Sequence, residues 1–132
     1  MIDNYYAKSK NENGEQKTVQ DHLMQVTALA RIYGDEIDVG NEAELTAQMH
    51  DFGKYSDSFQ RVLQGQNQNC DHAICGAVML SVLSKKNSSA FPMVEAINGH
   101  HDGLKYAGAL EDKIKQIWNC LLYTSPSPRD YA

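Results

Sequence analysis

Apolar residues recur every three or four positions along most of this chain, and no long segment alternates apolar with polar residues. The first such pattern runs from Thr18 to Tyr33 and predicts an amphipathic helix that ends at Gly34. His22 shares an apolar stripe with Leu29 and Tyr33, so we expect its side chain to face inward. The spacing predicts an all-α fold.

The same spacing predicts further helices, separated by polar loops. Ser56 and Asp71 suit the N-caps of two of them. Pro92 lies in the first turn of another, where its missing N–H costs nothing. Residues 1–16 form a polar lead-in strand or loop. The predicted helical segments after the first are 41–53, 56–65, 72–84, 91–99 and 110–118.

A chain of 132 residues is expected to form one small domain. Its formal charge of −5 argues against a basic surface that coats nucleic acid, so a polyanionic substrate has to be held locally. No apolar run resembles a signal peptide or a transmembrane segment, which predicts a soluble cytoplasmic protein with no membrane partner. The three cysteines lack CxxC spacing and are interpreted as reduced thiols.

The end of the chain has a different composition. From Cys120 to Asp130 the sequence matches the translation of a transposon adapter used to prepare sequencing libraries. We therefore predict a domain over residues 1–119 and a non-native tail over residues 120–132, which packs on nothing specific. Its prolines are expected to prevent a regular helix there. The alternative interpretation is an ordinary disordered Ser/Pro tail.

All five histidines are candidates for one site. A lone histidine on an apolar helix face is usually a packed core residue, but here four separate segments present one at an inward or helix-terminal position. Imidazole and carboxylate groups suit transition-metal dications, and Asp51 can bridge two ions where a neutral imidazole binds only one. Two such ions can activate water against a phosphate ester. The candidate metal-binding residues are His22, His50, Asp51, His72, His100 and His101.

The motif His50-Asp51-Phe52-Gly53-Lys54 adds detail to this hypothesis. Adjacent helical residues point about 100° apart, so His50 and Asp51 suit two ligands that straddle a metal pair. Gly53 is expected to let the backbone leave the helix. Lys54 then returns a positive charge that can hold a substrate phosphate, and we predict Asp51 and Lys54 as catalytic residues. The alternative is a helix-ending glycine followed by a solvated lysine.

The order of these motifs resembles the HD nuclease domain of type I CRISPR effector helicase-nucleases, over about residues 5–106. An HD pair alone is common among phosphohydrolases, whereas HDxGK followed by a single histidine and a His-His pair is more specific. The resemblance implies a helical HD fold and metal-dependent cleavage of single-stranded DNA. It also implies a helicase domain in the same or a separate chain, and an RNA-guided CRISPR surveillance complex, as partners.

The resemblance further implies two divalent transition-metal ions, such as Mn, Fe, Co or Ni. His22, His50 and Asp51 match ligands of the first ion; Asp51 bridges to the second, which His72, His100 and His101 complete; and Lys54 lies near the scissile phosphate. The family supplies a further downstream aspartate to the first ion, and Asp112 follows His101 too closely to match it. We therefore expect this chain to bind one ion better than two and to cleave single-stranded DNA weakly or not at all.

Two other functions remain open on the sequence. One is a stand-alone HD phosphohydrolase that acts on nucleotides, which an assay of nucleotides beside single-stranded DNA would separate. The other is a non-catalytic HD-fold docking module. Metal content distinguishes that second alternative, because a docking module should purify without metal.

Overall fold

A computed structural model describes residues 4–66, 71–84, 87–104 and 106–124, with the backbone alone for residue 88 and residues 118–124. Within these ranges the only β pairing is one antiparallel bridge, between Tyr6 and Thr18. The prediction of an all-α fold is therefore confirmed. Two 3-10 turns, Phe52–Tyr55 and Ser88–Ala90, interrupt the α-helices, which are α1 (Val19–Asp35), α2 (Gly40–His50), α3 (Asp57–Leu63), α4 (His72–Leu83), α5 (Phe91–Gly99) and α6 (Ala107–Thr124).

Side-chain caps fix the starts of three helices. Thr18 accepts a hydrogen bond from the N–H of Asp21 at 3.1 Å, and so caps α1. The predicted caps at Ser56 and Asp71 accept from backbone N–H groups three residues further on, at 3.1 and 3.2 Å. Each bond satisfies a donor that has no partner inside the helix. These caps place His72 as the first residue of α4.

The hydrophobic core lies around α4, which α2, α5 and α6 surround. Gly76 allows α2 to approach closely, because a Cβ built there would lie 1.9 Å from the carbonyl oxygen of Met49. The end of α2, with its His-Asp pair, therefore lies against the first half of α4. The buried core side chains are Met49, Ile74, Ala77, Val78, Leu80, Val94, Ile97 and Leu110.

The predicted apolar stripe of α1 is wrong at two positions. Leu29 is 54% exposed and Tyr33 is 66% exposed. The helix packs on α2 through its adjacent side, where Gly34 approaches so closely that an added Cβ would lie 2.7 Å from the Cβ of Ala43. The periodicity predicts the amphipathic helix correctly, but it does not identify which side of the stripe packs on α2. His22 still reaches inward, towards the end of α2.

Helix α6 is longer than predicted at both ends, since it spans Ala107–Thr124 rather than 110–118. Proline is the strongest helix breaker, and the first one in this part of the chain is Pro126. The predicted packing of residues 120–132, and the effect of their prolines, lie outside the described side chains and residues. Neither α6 nor any other helix in the described ranges is both long and apolar enough to cross a membrane.

Candidate metal centre

Asp51 lies where α2 ends and the 3-10 turn Phe52–Tyr55 begins, and only 3% of its side chain is exposed. Side-chain nitrogens from α1, from the start of α4, from the end of α5 and from two residues near Asp51 in the sequence surround its carboxylate. The closest to Oδ2 are His22 Nε2 at 2.9 Å, Lys54 Nζ at 3.1 Å and His50 Nε2 at 3.2 Å, and the closest to Oδ1 are His100 Nε2 at 3.3 Å and His72 Nε2 at 3.4 Å.

The structure brings together all six residues predicted to bind metal. They form two groups, each with potential ligand atoms that lie within 4.8 Å of one another, and Asp51 belongs to both. In the group that contains His72 and His101, the Nε2 atoms of these two residues are 2.8 Å apart. The three-residue group is His22, His50 and Asp51, and the four-residue group is Asp51, His72, His100 and His101.

Backbone carbonyls fix the ring orientation of two of these histidines. Nδ1 of His50 donates to the carbonyl oxygen of Ala47, and Nδ1 of His100 donates to that of Ile97 at 2.6 Å. A carbonyl oxygen only accepts, so Nδ1 carries the proton in each ring. In the neutral ring, Nε2 then presents a lone pair towards Asp51. This is the arrangement in which an imidazole binds a metal ion, with its other nitrogen held by a hydrogen bond.

The Oδ1 atom of Asp51 is buried and has no hydrogen-bond donor among the residues that the structure describes. Its nearest neighbours are the Nε2 atoms of His100 at 3.3 Å and His72 at 3.4 Å, and that of neutral His100 offers a lone pair instead of a proton. A buried carboxylate oxygen without a donor is costly unless a cation compensates it. Ligands about 2.1 Å from one ion, at octahedral or tetrahedral angles, lie about 3.0 to 3.4 Å apart. The residues present therefore fit a divalent metal ion.

Lys54 and His72 both contact the ring of Phe59, which α3 contributes. The ammonium of Lys54 lies 5.5 Å from the centroid of this ring, and the imidazole of His72 meets its edge at a centroid distance of 5.2 Å. An ammonium over an aromatic face is attracted by its π electrons. Phe59 lies within the predicted helix 56–65, but nothing in its spacing indicates these contacts.

Gly53 has a different role from the one predicted. Helix α2 has already ended at His50, so Gly53 is not needed to release the backbone. A Cβ added at Gly53 would instead lie 2.3 Å from the carbonyl oxygen of His72 and 2.7 Å from its Cα. The glycine lets the 3-10 turn touch the first residue of α4. This contact sets the separation between Asp51 and the four-residue group's His72.

A sequence model of the HD domain matches residues 19–128 of the chain. The chain belongs to the HD domain family. HD domains are typically metal-dependent hydrolases, and the match includes both groups of converging residues. Comparisons with curated proteins and with solved structures gave no significant match.

The electrostatics of this HD domain favour an ionised aspartate. Burial raises the pKa of Asp51, but its contacts with His50 and His72 and the charge of Lys54 together outweigh burial and hold that pKa well below its usual range. Burial lowers the pKa of His22 and of His101, which favours the neutral, metal-binding form of each ring. Burial lowers the pKa of His50, but its contact with Asp51 and its hydrogen bond to the carbonyl of Ala47 together outweigh burial and raise that pKa. A metal ion there would compete with a proton.

Helix α6 is fastened to the site through Asp71, the residue before His72. One carboxylate oxygen of Asp71 caps α4, and the other lies 3.0 Å from Nζ of Lys113 in α6. Asp112, the neighbour of Lys113, is exposed and belongs to neither group of the HD domain among the described residues. The three-residue group therefore has one potential ligand fewer than the four-residue group.

Proposed function

We propose that this HD domain is a metal-dependent phosphohydrolase that cleaves single-stranded DNA in a type I CRISPR interference system. Family membership supports the metal-dependent hydrolase. The observation that carries the proposal is the Oδ1 atom of Asp51, which is buried, lacks a donor and faces imidazole nitrogens. The choice of DNA rests on the order of the motifs, in which HDxGK precedes a single histidine and a His-His pair.

The two groups of residues would hold two divalent ions, and Mn, Fe, Co and Ni all suit their nitrogen and oxygen ligands. Such a pair supplies an activated water and neutralises charge on a phosphoryl group. Asp51 would bridge the ions, because it alone belongs to both groups. His22 and His50 would complete the first set of ligands, and His72, His100 and His101 would complete the second.

Lys54 would bind the substrate. Its side chain is only 14% exposed, and its ammonium lies 3.1 Å from the shared carboxylate. A compact ammonium holds a phosphate oxygen as a point charge and does not require the fixed two-point geometry of a guanidinium. We therefore assign Lys54 to the phosphate that is cleaved. The contact with Phe59 keeps its flexible side chain beside the carboxylate.

The net charge of −5 means that the chain has no excess of positive charge with which to collect DNA by itself. Delivery of the strand would then depend on partners. We propose a helicase domain, in the same or a separate chain, and an RNA-guided surveillance complex as those partners. The HD domain would cut the strand that they present.

The test incubates the purified chain with labelled single-stranded DNA, duplex DNA, nucleoside triphosphates and cyclic nucleotides, each with Mn²⁺ or with EDTA. We expect slow, metal-dependent cleavage of single-stranded DNA, since the three-residue group is short of ligands. Asp51→Asn should abolish this cleavage. Asp112→Asn is the matched control, because Asp112 is exposed and outside both groups, and it should cleave as the wild type does.

Three outcomes would contradict the proposal. Cleavage of nucleotides with no cleavage of DNA would identify a stand-alone nucleotide phosphohydrolase. A chain that purifies without metal and binds none when Mn²⁺ is added would be a docking module. Cleavage that survives Asp51→Asn would come from a contaminant or from another site.

A further inference from the structure

Gln60, in α3, has a buried side chain whose hydrogen bonds within the described part of the chain all go to main-chain atoms. The N–H of Tyr6 donates to its Oε1 at 3.0 Å, while its Nε2 donates to the carbonyl oxygens of Tyr6 at 3.0 Å and Lys54 at 2.9 Å. An N–H only donates and a carbonyl only accepts, so one orientation of the amide satisfies all three bonds. Gln60 is 5% exposed, and water therefore cannot easily replace these bonds.

The other edge of the segment around Tyr6 is paired with the residues that begin α1. The N–H of Ala7 donates to the carbonyl of Lys17 at 2.9 Å, and the N–H of Val19 donates to the carbonyl of Tyr5 at 2.8 Å. Thr18 lies between these bonds and caps α1 with its side chain. The segment is thus held between α3 on one side and the start of α1 on the other.

The hydrogen bonds on the two sides of this segment lead to His22 and to Lys54, whose side chains both lie beside Oδ2 of Asp51. His22 follows the cap in the first turn of α1, where its N–H donates to the carbonyl of Thr18 at 3.1 Å, and its Nε2 lies 2.9 Å from Oδ2 of Asp51. The ammonium of Lys54, whose carbonyl Gln60 holds, lies 3.1 Å from that oxygen. The histidines of the four-residue group come from the start of α4 and the end of α5.

We propose that Gln60 is a positioning residue, which sets where His22 and Lys54 lie relative to Asp51 by fastening the segment around Tyr6. The inference rests on the proposed function, because it assumes that the three-residue group binds a metal ion. Removing the direct hydrogen-bond partner of a metal ligand lowers metal affinity by about 10- to 100-fold, and Gln60 acts on His22 one step further away, through main-chain bonds. Loss of Gln60 should therefore weaken the three-residue group more than the four-residue group, whose histidines come from other helices.

The experiment measures Mn²⁺ binding to the full chain by calorimetry and by the electron paramagnetic resonance of free Mn²⁺. Gln60→Glu keeps the length of the side chain and an acceptor for Tyr6, but cannot donate to the two carbonyls when ionised. Gln60→Leu removes all three bonds without adding charge, and it tests the inference again if the first variant fails to fold. Gln16→Leu is the matched control, since Gln16 also donates to a main-chain carbonyl of the N-terminal segment, at 3.0 Å, but through a solvent-exposed hydrogen bond. His22→Ala marks the loss of the weaker site.

We expect wild type and Gln16→Leu to bind one Mn²⁺ tightly and a second more weakly. In the Gln60 variants the weaker affinity should fall by up to about tenfold, towards that of His22→Ala, while the tighter affinity falls less and the helical circular dichroism stays unchanged. Two affinities that both stay within twofold of wild type would overturn the role of Gln60 and leave the proposed function intact. An equal loss at both sites, or failure of both variants to fold, would show a general structural role instead. A wild-type chain that lacks the weaker site would overturn the inference together with the two-metal proposal.

Discussion

Replacing Asp51 with asparagine should remove most of the stabilisation that metal ions give this chain. The carboxylate belongs to both groups of potential ligands, so a single substitution affects every proposed ion. Asparagine keeps the shape of the side chain and one oxygen, but it lacks the negative charge that draws a dication. A histidine variant such as His101→Ala, by contrast, should affect only the four-residue group.

The size of the effect follows from linkage. An ion present at 100 times its dissociation constant stabilises the folded chain by about 2.7 kcal/mol. For 132 residues the unfolding entropy is about 0.28 kcal/mol per kelvin, so this stabilisation raises Tm by about 10 °C. A 100-fold loss of affinity would bring the same ion down to its dissociation constant. Stabilisation then falls to about 0.4 kcal/mol, and the rise in Tm to about 1.5 °C.

The assay records thermal unfolding by circular dichroism, with EDTA and with a series of Mn²⁺ concentrations, and compares each variant with its own metal-free Tm. Asp112→Asn controls for the removal of a carboxylate from the surface and should keep the full rise. The reasoning would be refuted if Asp51→Asn kept more than half of the wild-type rise. It would also be refuted if Asp112→Asn lost as much as Asp51→Asn, because the metal would then bind outside the two groups.

Three further substitutions test how the site is held. Gly53→Ala should destabilise the chain by more than about 1 kcal/mol in chemical unfolding, because its Cβ would lie 2.3 Å from the carbonyl oxygen of His72; a change below 0.5 kcal/mol would show that the turn can shift. Gly76→Ala should cost at least as much, since its Cβ would lie 1.9 Å from the carbonyl oxygen of Met49, and wild-type stability would contradict this close approach. Lys113→Ala removes a partly exposed ion pair with Asp71 and should cost about 1 kcal/mol or less in the same assay, whereas a loss above 2 kcal/mol would mean that this pair holds α6 in place.

Much of the fold was predictable because its signals are local. The caps at Ser56 and Asp71 depend on one side chain and a backbone group three residues away, and both were predicted and confirmed. The stripe of α1 was predicted less well, since periodicity marks an apolar side of a helix but not which part of it packs. Leu29 and Tyr33 lie on the exposed part, because α2 crosses at Gly34 instead.

The candidate site likewise contains residues that the sequence predicts and residues that it does not. The chemistry, the expected positions and the motif order of six residues predict the cluster that the structure brings together. Phe59 and Gln60 cannot be predicted in this way, since an apolar residue and a glutamine in a short helix carry no sign of what they touch. Their partners, Lys54 and Tyr6, lie 5 and 54 residues away along the chain. Such contacts follow only from the assembled fold.

Metal ligands and positioning residues have to meet different physical requirements. A ligand must have a particular chemistry, so few residue types can replace Asp51 or its histidines, and the sequence pattern is correspondingly distinctive. A positioning residue needs only the right reach and hydrogen-bonding groups at one place, and many folds could provide these in other ways. Gln60 meets this lesser demand with three bonds to main-chain atoms. The Oδ1 atom of Asp51 is buried without a hydrogen bond from any described residue, which is energetically costly. A bound metal ion would compensate this cost.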